Sequence, residues 1–280
     1  MELLRNNSLL KKVVTICLII VIILIILYFI NKHHQWKKSN PTLVNKVVNA
    51  KKLIKIDASK IPNSSEGTEF TYNFWMFVED WNYKNNQPKC VMYKGNKHSN
   101  ESVTGTSPGI WLYPNTNKLM VRIACHNPYD IDNEYLYPKR DDVVNMNPIK
   151  NNRMLSPEGS QYVCDIPNIP LQRWVNVAVV LFNRTTDVYI NGKLARSCIL
   201  PGIPMLNNND LYISDFGGFG GFLSCVKVSN KALDPRKIYD IYEKGPNCNN
   251  LGANFDNYKL ELKIGKTNDW EDAATAAVHI

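Results

Sequence analysis

Residues 174–199 read WVNVAVVLFNRTTDVYINGKLARSCI, and this stretch decides the fold class. From Trp174 to Phe182, apolar side chains occupy both alternating sets of positions, a pattern typical of a strand buried on both faces. The dipeptide Asn191-Gly192 then separates two further runs, and it favours a type I′ turn because both of its positions need a positive φ angle. The stretch therefore predicts consecutive antiparallel strands.

Further short strands are predicted on both sides of this stretch, in EFTYNFWMFVEDW, KCVMYKG, the hairpin around PNTNK and the run around GGFGGF. We expect the glycines of GGFGGF to allow a tight bend or a close backbone approach, since no Lys-Ser/Thr pair completes a phosphate loop. The only convincing soluble helix is LDPRKIYDIYEKG, with Asp234 as N-cap, Pro235 in the first turn and Gly245 at its end.

The segment VVTICLIIVIILIILYFI, Val13 to Ile30, contains no charged residue, glycine or proline. Eighteen helical residues span about 27 Å, close to the hydrocarbon thickness of a bilayer. A cleaved signal peptide is the alternative, but the apolar run is long and no small-residue cleavage pattern follows it. Tyr28, Lys32 and Trp36 stand where interfacial anchors usually lie. We therefore predict that residues 13–30 contact the lipid bilayer.

Together these patterns predict an all-β fold, an antiparallel jelly-roll β-sandwich with one short C-terminal helix, preceded by a single N-terminal transmembrane helix. The predicted organisation is a polar head (1–12), a transmembrane anchor (13–30), a basic stalk (31–66), the jelly-roll domain (67–246) and a C-terminal extension (247–280). A long polar stretch from 127 to 160 predicts a functional loop or an ordered excursion.

Six cysteines follow the anchor, and their even number without a CxxC motif favours disulfides over a metal site. Six reduced, buried thiols are the alternative, and the pairing stays open. The candidates are Cys90, Cys125, Cys164, Cys198, Cys225 and Cys248. Glycosylation sequons occur at Asn63, Asn100 and Asn183. The lysines after the anchor favour a cytoplasmic main domain, whereas the cysteines favour an extracytosolic one, and we expect the latter.

Three stretches carry a family likeness: FTYNFWMFVEDW, WVNVAVVLFNRTTDVYINGKLARS and GFLSCVKVSNKALDPRKIYDIYEKGP. In this order they resemble the laminin-G-like, pentraxin-like branch of the concanavalin A-like lectin/glucanase superfamily, over about Glu69 to Pro246. The resemblance implies two stacked antiparallel sheets with a concave face, but a fold does not by itself imply sugar binding. The Asn- and Lys-rich composition with an anchor is also similar to membrane proteins of large DNA viruses.

The laminin-G-like resemblance implies a Ca²⁺ ion at the rim of the sandwich, held by carboxylates and carbonyl oxygens. Its candidate ligands are Asp130, Asp132 and Glu134 in the loop NPYDIDNEY, and Asp215; a solvated acidic loop is the alternative. Exposed aromatic rings stack on sugars, and the candidates for this role are Tyr129, Tyr135, Tyr137 and Trp111.

The sequence disfavours catalysis. Retaining glycosidases place two carboxylates about 5 Å apart, and glucanases of this fold carry them as an E-x-D-x-x-E run, which is missing; Glu79 and Asp80 are adjacent and point to opposite faces. Nucleic-acid binding is excluded because no basic helix or zinc-ligand spacing occurs. We predict a non-catalytic, membrane-anchored module that binds a glycan or protein partner at a membrane or particle surface. A structural membrane protein of a virion, contacting capsid or other virion proteins, is the alternative, and a glycan-active hydrolase is less favoured.

Overall fold

The computed structural model describes residues 2–64, 67–97, 102–126, 164–200 and 202–248, with the isolated pairs 144–145, 262–263 and 275–276. Two α-helices are present in these residues, α1 (Glu2–Ser39) and α2 (Pro235–Glu243). Short 3-10 turns span Ala58–Lys60 and Asp215–Gly217. The strands are, in chain order, β1 (Thr42–Val44), β2 (Val48–Asn49), β3 (Ile54–Ile56), β4 (Glu69–Asp80), β5 (Lys89–Lys94), β6 (Asn96–Lys97), β7 (Ser102–Thr104), β8 (Gly109–Leu112), β9 (Leu119–Arg122), β10 (Cys125–His126), β11 (Val144–Asn145), β12 (Trp174–Phe182), β13 (Thr185–Ile190), β14 (Lys193–Ile199), β15 (Ile203–Pro204), β16 (Leu211–Ile213), β17 (Gly220–Ser229), β18 (Leu262–Lys263) and β19 (Thr275–Ala276).

Two antiparallel sheets form the sandwich. The first, sheet A, has the order β1-β17-β4-β12-β13-β14, with β2 also paired to β17; the second, sheet B, has the order β3-β16-β5-β8-β9. Three smaller sheets are also present: β10 pairs with β15, β7 pairs with both β6 and β11, and β18 pairs with β19. Val179 of sheet A and Met92 and Ile110 of sheet B share one apolar core between the two sheets. The predicted all-β sandwich with its N-terminal and C-terminal helices is confirmed.

Strand β12 is buried on both faces, as its two apolar sets predict. Val177 and Val179 point into the core between the sheets. Ala178 and Val180 point outward and are covered by Ile238 of α2. Helix α2 begins as predicted, because the Asp234 side chain accepts a hydrogen bond from the backbone N–H of Lys237.

The predicted turn at Asn191-Gly192 is present, with φ angles of 50° and 74°. It joins β13 to β14, and the Asn191 side chain accepts a hydrogen bond of 2.9 Å from the backbone N–H of Asn176 on β12. The turn therefore fixes the register of three neighbouring strands of sheet A.

The segment predicted as a basic stalk differs from the prediction. Strands β1 and β2 pair with β17, and β3 pairs with β16, so residues 42–56 add strands to both sheets. The reason is that Val44 and Ala50 bury their side chains in the core while Lys46, Lys51 and Lys52 face solvent. The sandwich begins at residue 42, before the predicted boundary at 67.

Helix α1 extends on both sides of the predicted 13–30 span. The segment Val13–Ser39 is long and apolar enough to cross a membrane, and none of its most apolar stretch is buried against the rest of the protein. Leu24 and Phe29, for example, are 59% and 60% exposed. Such a surface is unfavourable in water.

Four of the six candidate cysteines form two disulfides among the described residues, Cys164–Cys198 and Cys225–Cys248. Cys90 instead packs as a fully buried thiol against the aromatic rings outside sheet B. The thiol of Cys125 donates a hydrogen bond of 3.5 Å to the carbonyl oxygen of Ile123. Cys90 and Cys125 are not among the cysteines of these two disulfides.

Candidate functional site

The chemically richest part of the described chain lies at one end of the sandwich. Asp80 at the end of β4 pairs with Gly220 at the start of β17, so the loops 81–88 and 214–219 lie side by side. Within and beside these loops lies a group that we call the Asp215 cluster. Its members are Tyr93, Lys97, Tyr212, Asp215 and Phe216.

The carboxylate of Asp215 is 4% exposed. The Tyr93 hydroxyl donates to its Oδ2 atom at 2.6 Å, and Lys97 Nζ lies 2.7 Å from Oδ2 and 3.0 Å from Oδ1. The backbone N–H of Phe216 donates to Oδ1 at 2.7 Å. Both carboxylate oxygens are thus engaged by protein donors, and Asp215 forms a buried ion pair with Lys97.

The backbone of this loop is strained. Ser214 and Phe216, on either side of Asp215, have φ angles of 57° and 54°, which non-glycine residues rarely adopt. Gly218 makes the loop possible, since a Cβ atom there would lie 1.8 Å from the carbonyl oxygen of Ala50. The close backbone approach predicted for the glycine run is therefore present. Backbone strain of this kind costs on the order of 1–3 kcal/mol per residue and clusters at functional sites.

Aromatic rings line the outer face of sheet B next to Asp215. The ring of Tyr93 stacks on Tyr212 at 5.1 Å, on Phe216 at 5.9 Å and on Trp111 at 6.1 Å between centroids. Tyr93 and Trp111 are fully buried, whereas Tyr212 and Phe216 are half-buried. The cluster thus has a buried base and an outer edge formed by two rings.

Lysine side chains surround this outer edge. Lys97 Nζ lies 4.8 Å from the centre of the Phe216 ring, and Lys55 Nζ lies 5.8 Å from that of Tyr212. Lys84 donates to the carbonyl oxygen of Phe216. Rings flanked by ammonium groups can stack on a sugar while offering charge to an acidic group.

The adjacent loop carries more cations over aromatic rings. Lys51 Nζ lies 4.4 Å from the Tyr83 ring, and Lys89 Nζ lies 4.4 Å from the Trp81 ring and donates to the carbonyl oxygen of Pro114 at 3.0 Å. Burial, with a smaller contribution from the charge of Lys84, lowers the pKa of Lys89 to about 8. Lys55 is paired with Asp210 at 2.8 Å, as Lys97 is with Asp215, but the lysines at this end outnumber these two aspartates, and the remaining positive charge favours an anionic ligand.

Of the predicted site residues, Asp215 is a member of the Asp215 cluster, and Trp111 lies next to the cluster, stacked on Tyr93. Trp111 is fully buried, so its face is covered by protein and not by a ligand. The other predicted sugar-stacking and calcium-binding residues lie outside the described residues; they are Tyr129, Tyr135, Tyr137, Asp130, Asp132 and Glu134. Of the sequons, Asn63 and Asn183 are exposed, and Asn100 lies outside the described residues.

Where the structure describes the chain, no group of three His, Cys, Asp or Glu side chains is placed to hold a metal ion. The sequence reasoning missed Tyr93, Lys97, Tyr212 and Phe216, which form most of the cluster. One signal was present: Met92 and Ile213 point into the core, so their neighbours Tyr93 and Tyr212 must point out of sheet B.

Solved structures similar to this chain include the receptor binding domain of botulinum neurotoxin C/D mosaic serotype, at 10% identity and a TM-score of 0.42, covering 65% of this chain and 37% of that chain. A putative carbohydrate binding protein from Bacteroides ovatus has 14% identity and a TM-score of 0.40, with coverages of 72% and 46%. Trypanosoma rangeli sialidase has 11% identity and a TM-score of 0.37, with coverages of 62% and 22%. The chain thus spans less than half the length of each of these proteins.

No curated protein sequence matches the chain. A family model described as concanavalin A-like lectin/glucanases superfamily matches residues 111–239. This range contains β9, β12, β13, β14 and β17, which contribute to both sheets. The family match and the antiparallel sandwich together support the concanavalin A-like lectin/glucanase superfamily for this domain.

Proposed function

We propose that the protein is a membrane-anchored, non-catalytic binding module whose ligand is a glycan carrying acidic groups. The observation that carries this proposal is the outer edge of the Asp215 cluster. There the half-buried rings of Tyr212 and Phe216 lie beside the ammonium groups of Lys55 and Lys97. A sugar ring would stack on Tyr212, and its carboxylate or sulfate would face the lysines.

The roles of the nearby acids support binding without catalysis. Asp215 is held in an ion pair, and Asp80 accepts hydrogen bonds from the backbone N–H groups of Asn82 and Tyr83 at 2.9 and 3.3 Å. Each carboxylate thus stabilises a loop. A glycosidase would instead need one acid to donate a proton and another to attack the sugar.

The anchor of the proposed module is helix α1. Its apolar side chains are exposed, and burial in a bilayer would remove them from water. The disulfides Cys164–Cys198 and Cys225–Cys248 support an extracytosolic domain, because disulfides persist in oxidising compartments. Residues 129–137 stay part of the proposal, with Tyr129, Tyr135 and Tyr137 as further sugar contacts and Asp130, Asp132 and Glu134 as calcium ligands.

The full chain in nanodiscs, applied to an array of acidic and neutral glycans, tests this function. We expect binding to acidic glycans, weakened about five- to thirtyfold by Tyr212→Ala or Lys55→Met, since one stacked ring or charged contact contributes about 1–2 kcal/mol. Tyr239→Ala is the matched control, because Tyr239 is a 42% exposed ring on α2, away from the cluster. Adding a chelator tests the calcium ligands.

Three outcomes would contradict parts of the proposal. Binding unaffected by the Tyr212 and Lys55 variants would remove the Asp215 cluster from the site. Turnover of oligosaccharides would contradict the non-catalytic role. The absence of glycan binding, together with isolation of the chain in a complex with capsid proteins, would favour a structural role in a virion.

A further inference from the structure

The anchor helix joins the sandwich at one defined end of sheet A. The carbonyl oxygen of Ser39, the last residue of α1, accepts a hydrogen bond of 3.1 Å from the backbone N–H of Asn230. The carbonyl oxygen of Pro41 accepts one of 3.1 Å from Val228. Asn230 directly follows β17, so α1 is attached at the C-terminal end of that strand.

The strand registers show which other residues lie at this end. Ser229 at the end of β17 pairs with Thr71, near the start of β4. Across the next strands of sheet A, Glu69 pairs with Phe182, Phe182 pairs with Thr185, and Thr185 pairs with Ile199. The end of β12, the turn 183–184 and the end of β14 therefore lie on the same side of the sandwich as the anchor.

Two large apolar side chains are exposed in this row. Phe182 is 58% exposed and Ile199 is 71% exposed. Both point to the outer face of sheet A, since their neighbours Leu181 and Cys198 point into the core. Arg184 in the turn and Lys231 after β17 are also exposed. The Arg184 guanidinium donates to the carbonyl oxygen of Leu200 at 2.8 and 3.1 Å, which holds its positive charge at this end. We call Phe182, Ile199, Arg184 and Lys231 the anchor-side patch.

The candidate span Val13–Ser39 is about 40 Å long, the thickness of a bilayer with its two headgroup layers, so a helix that spans the membrane over this length brings Ser39 and the patch to the headgroups. Trp36 is 60% exposed on α1 and precedes Ser39 by three residues, about 4.5 Å along a helix axis. Tryptophan prefers the membrane–water interface, and the interfacial layer is on the order of 5–8 Å thick on each side. Lys37 and Lys38 stand in the last turn of the helix and add positive charge at the same level.

We propose that the anchor-side patch rests on the bilayer surface, with Phe182 and Ile199 in the interfacial layer and Arg184 and Lys231 facing anionic headgroups. This inference rests on the proposed role of α1 as a membrane anchor. A lipid surface fits better than a protein partner, because the helix itself brings the bilayer to this end and because apolar side chains flanked by cations are what an anionic interface binds.

Photo-crosslinking of the full chain in vesicles of phosphatidylcholine with a minor fraction of phosphatidylserine tests the inference. The photoreactive residue p-benzoylphenylalanine replaces Phe182, Ile199 or Leu194, one at a time. Leu194 is the matched control, since it is 55% exposed and lies on β14 beside the opposite end of the strand from Ile199. We expect several-fold more lipid adduct at positions 182 and 199 than at position 194.

The outcomes separate the patch from the anchor. Equal lipid adducts at all three positions would overturn the inference, and so would adducts at 182 and 199 to a second copy of the chain or to another protein. Alkaline extraction of the vesicles tests the anchor separately, and a chain that resists extraction still supports the anchor. Release of the chain by alkaline extraction would overturn both. A glycan found on Asn183 would also overturn the inference, because this exposed sequon lies between Phe182 and Arg184 and a glycan there would hold the turn away from the headgroups.

Discussion

The ammonium of Lys97 lies 2.7 Å from the Asp215 carboxylate, and these side chains are 24% and 6% exposed, respectively. Lys97 lies on β6, and Asp215 lies in the loop after β16. The ion pair therefore holds β6, the segment after β5, against the outer face of sheet B. The pair thereby holds the rings of the Asp215 cluster in place.

We expect Lys97→Met to lower the free energy of unfolding by about 2 kcal/mol. Removing one member of a fully buried pair costs about 3–5 kcal/mol, and the partial exposure of Lys97 reduces this value. Urea denaturation measures the change, with Lys52→Met as a control because Lys52 is exposed. Equal midpoints for the two variants would contradict this assignment.

Gly218→Ala should destabilise the protein by at least about 2 kcal/mol more than Gly105→Ala. Both glycines have positive φ angles, of 54° and 61°, so both substitutions carry the backbone strain of an alanine in this region. Only at Gly218 does the added Cβ meet backbone, 1.8 Å from the Ala50 carbonyl oxygen, while Gly105 has open space around it. Thermal and urea denaturation of the two variants would show the difference, and similar stabilities would contradict the close approach.

The double variant Cys164→Ala/Cys198→Ala should lose about 3–4 kcal/mol of stability. The two cysteines are separated by 34 residues, and closing a loop of this length restricts the unfolded chain by about that amount. Reductant should lower the stability of the wild-type chain further than that of the variant, which keeps Cys225–Cys248. Peptide mapping under non-reducing conditions checks the pairing, and a disulfide from Cys164 or Cys198 to any other cysteine would contradict it.

Lys89 should contribute a rise of stability with pH between about 8 and 10.5. Burial lowers the pKa of Lys89 from 10.5 to about 8 in the folded protein, while in the unfolded chain it stays at 10.5. Between these two values the unfolded chain binds one proton more than the folded chain, so the free energy of unfolding increases with pH. Below about pH 8 the lysine is charged in both states and this contribution stays constant.

Lys89→Met should remove that contribution. Burial also lowers the pKa values of Lys84, Lys94 and Lys227, and it raises those of Cys90 and Tyr113, which change the slope in the opposite direction. The difference between wild type and variant, and not the total slope, therefore isolates Lys89. Denaturation at several pH values in this window gives both slopes. Identical slopes would show that burial does not lower the pKa of Lys89.

The parts of the fold that the sequence predicts well depend on neighbours in the chain. The double apolar pattern of β12 and the turn at Asn191-Gly192 are local signals, and both are present in the structure. The pairing of strands β1 to β3 could not be predicted, because their partners, β17 and β16, are distant in sequence. Without those partners, Lys51 and Lys52 dominate the segment and make it resemble a solvated stalk.

The candidate site was harder to predict for the same reason. Tyr93 and Asp215 stand 122 positions apart and meet only when β5 pairs with β16. Alternation shows that Tyr93 faces away from the core, but it does not show that β6 and β7 cover it or that Lys97 reaches Asp215. The strained angles at Ser214 and Phe216 leave no signal in the residue types themselves.

Only Asn40 and Pro41 separate α1 from β1, and this junction limits where a captured ligand can be. A domain on a flexible linker can occupy a range of positions that grows with the length of the linker. Here the linker has two residues, and hydrogen bonds to β17 and Asn230 hold it and the end of α1, so the domain can move very little relative to α1. The twelve residues of β4 run from the anchor side to Asp80, a length of about 40 Å at about 3.3 Å per residue. A module built in this way would act as a rigid spacer, and an opposing surface that it captured would be held at a nearly fixed separation.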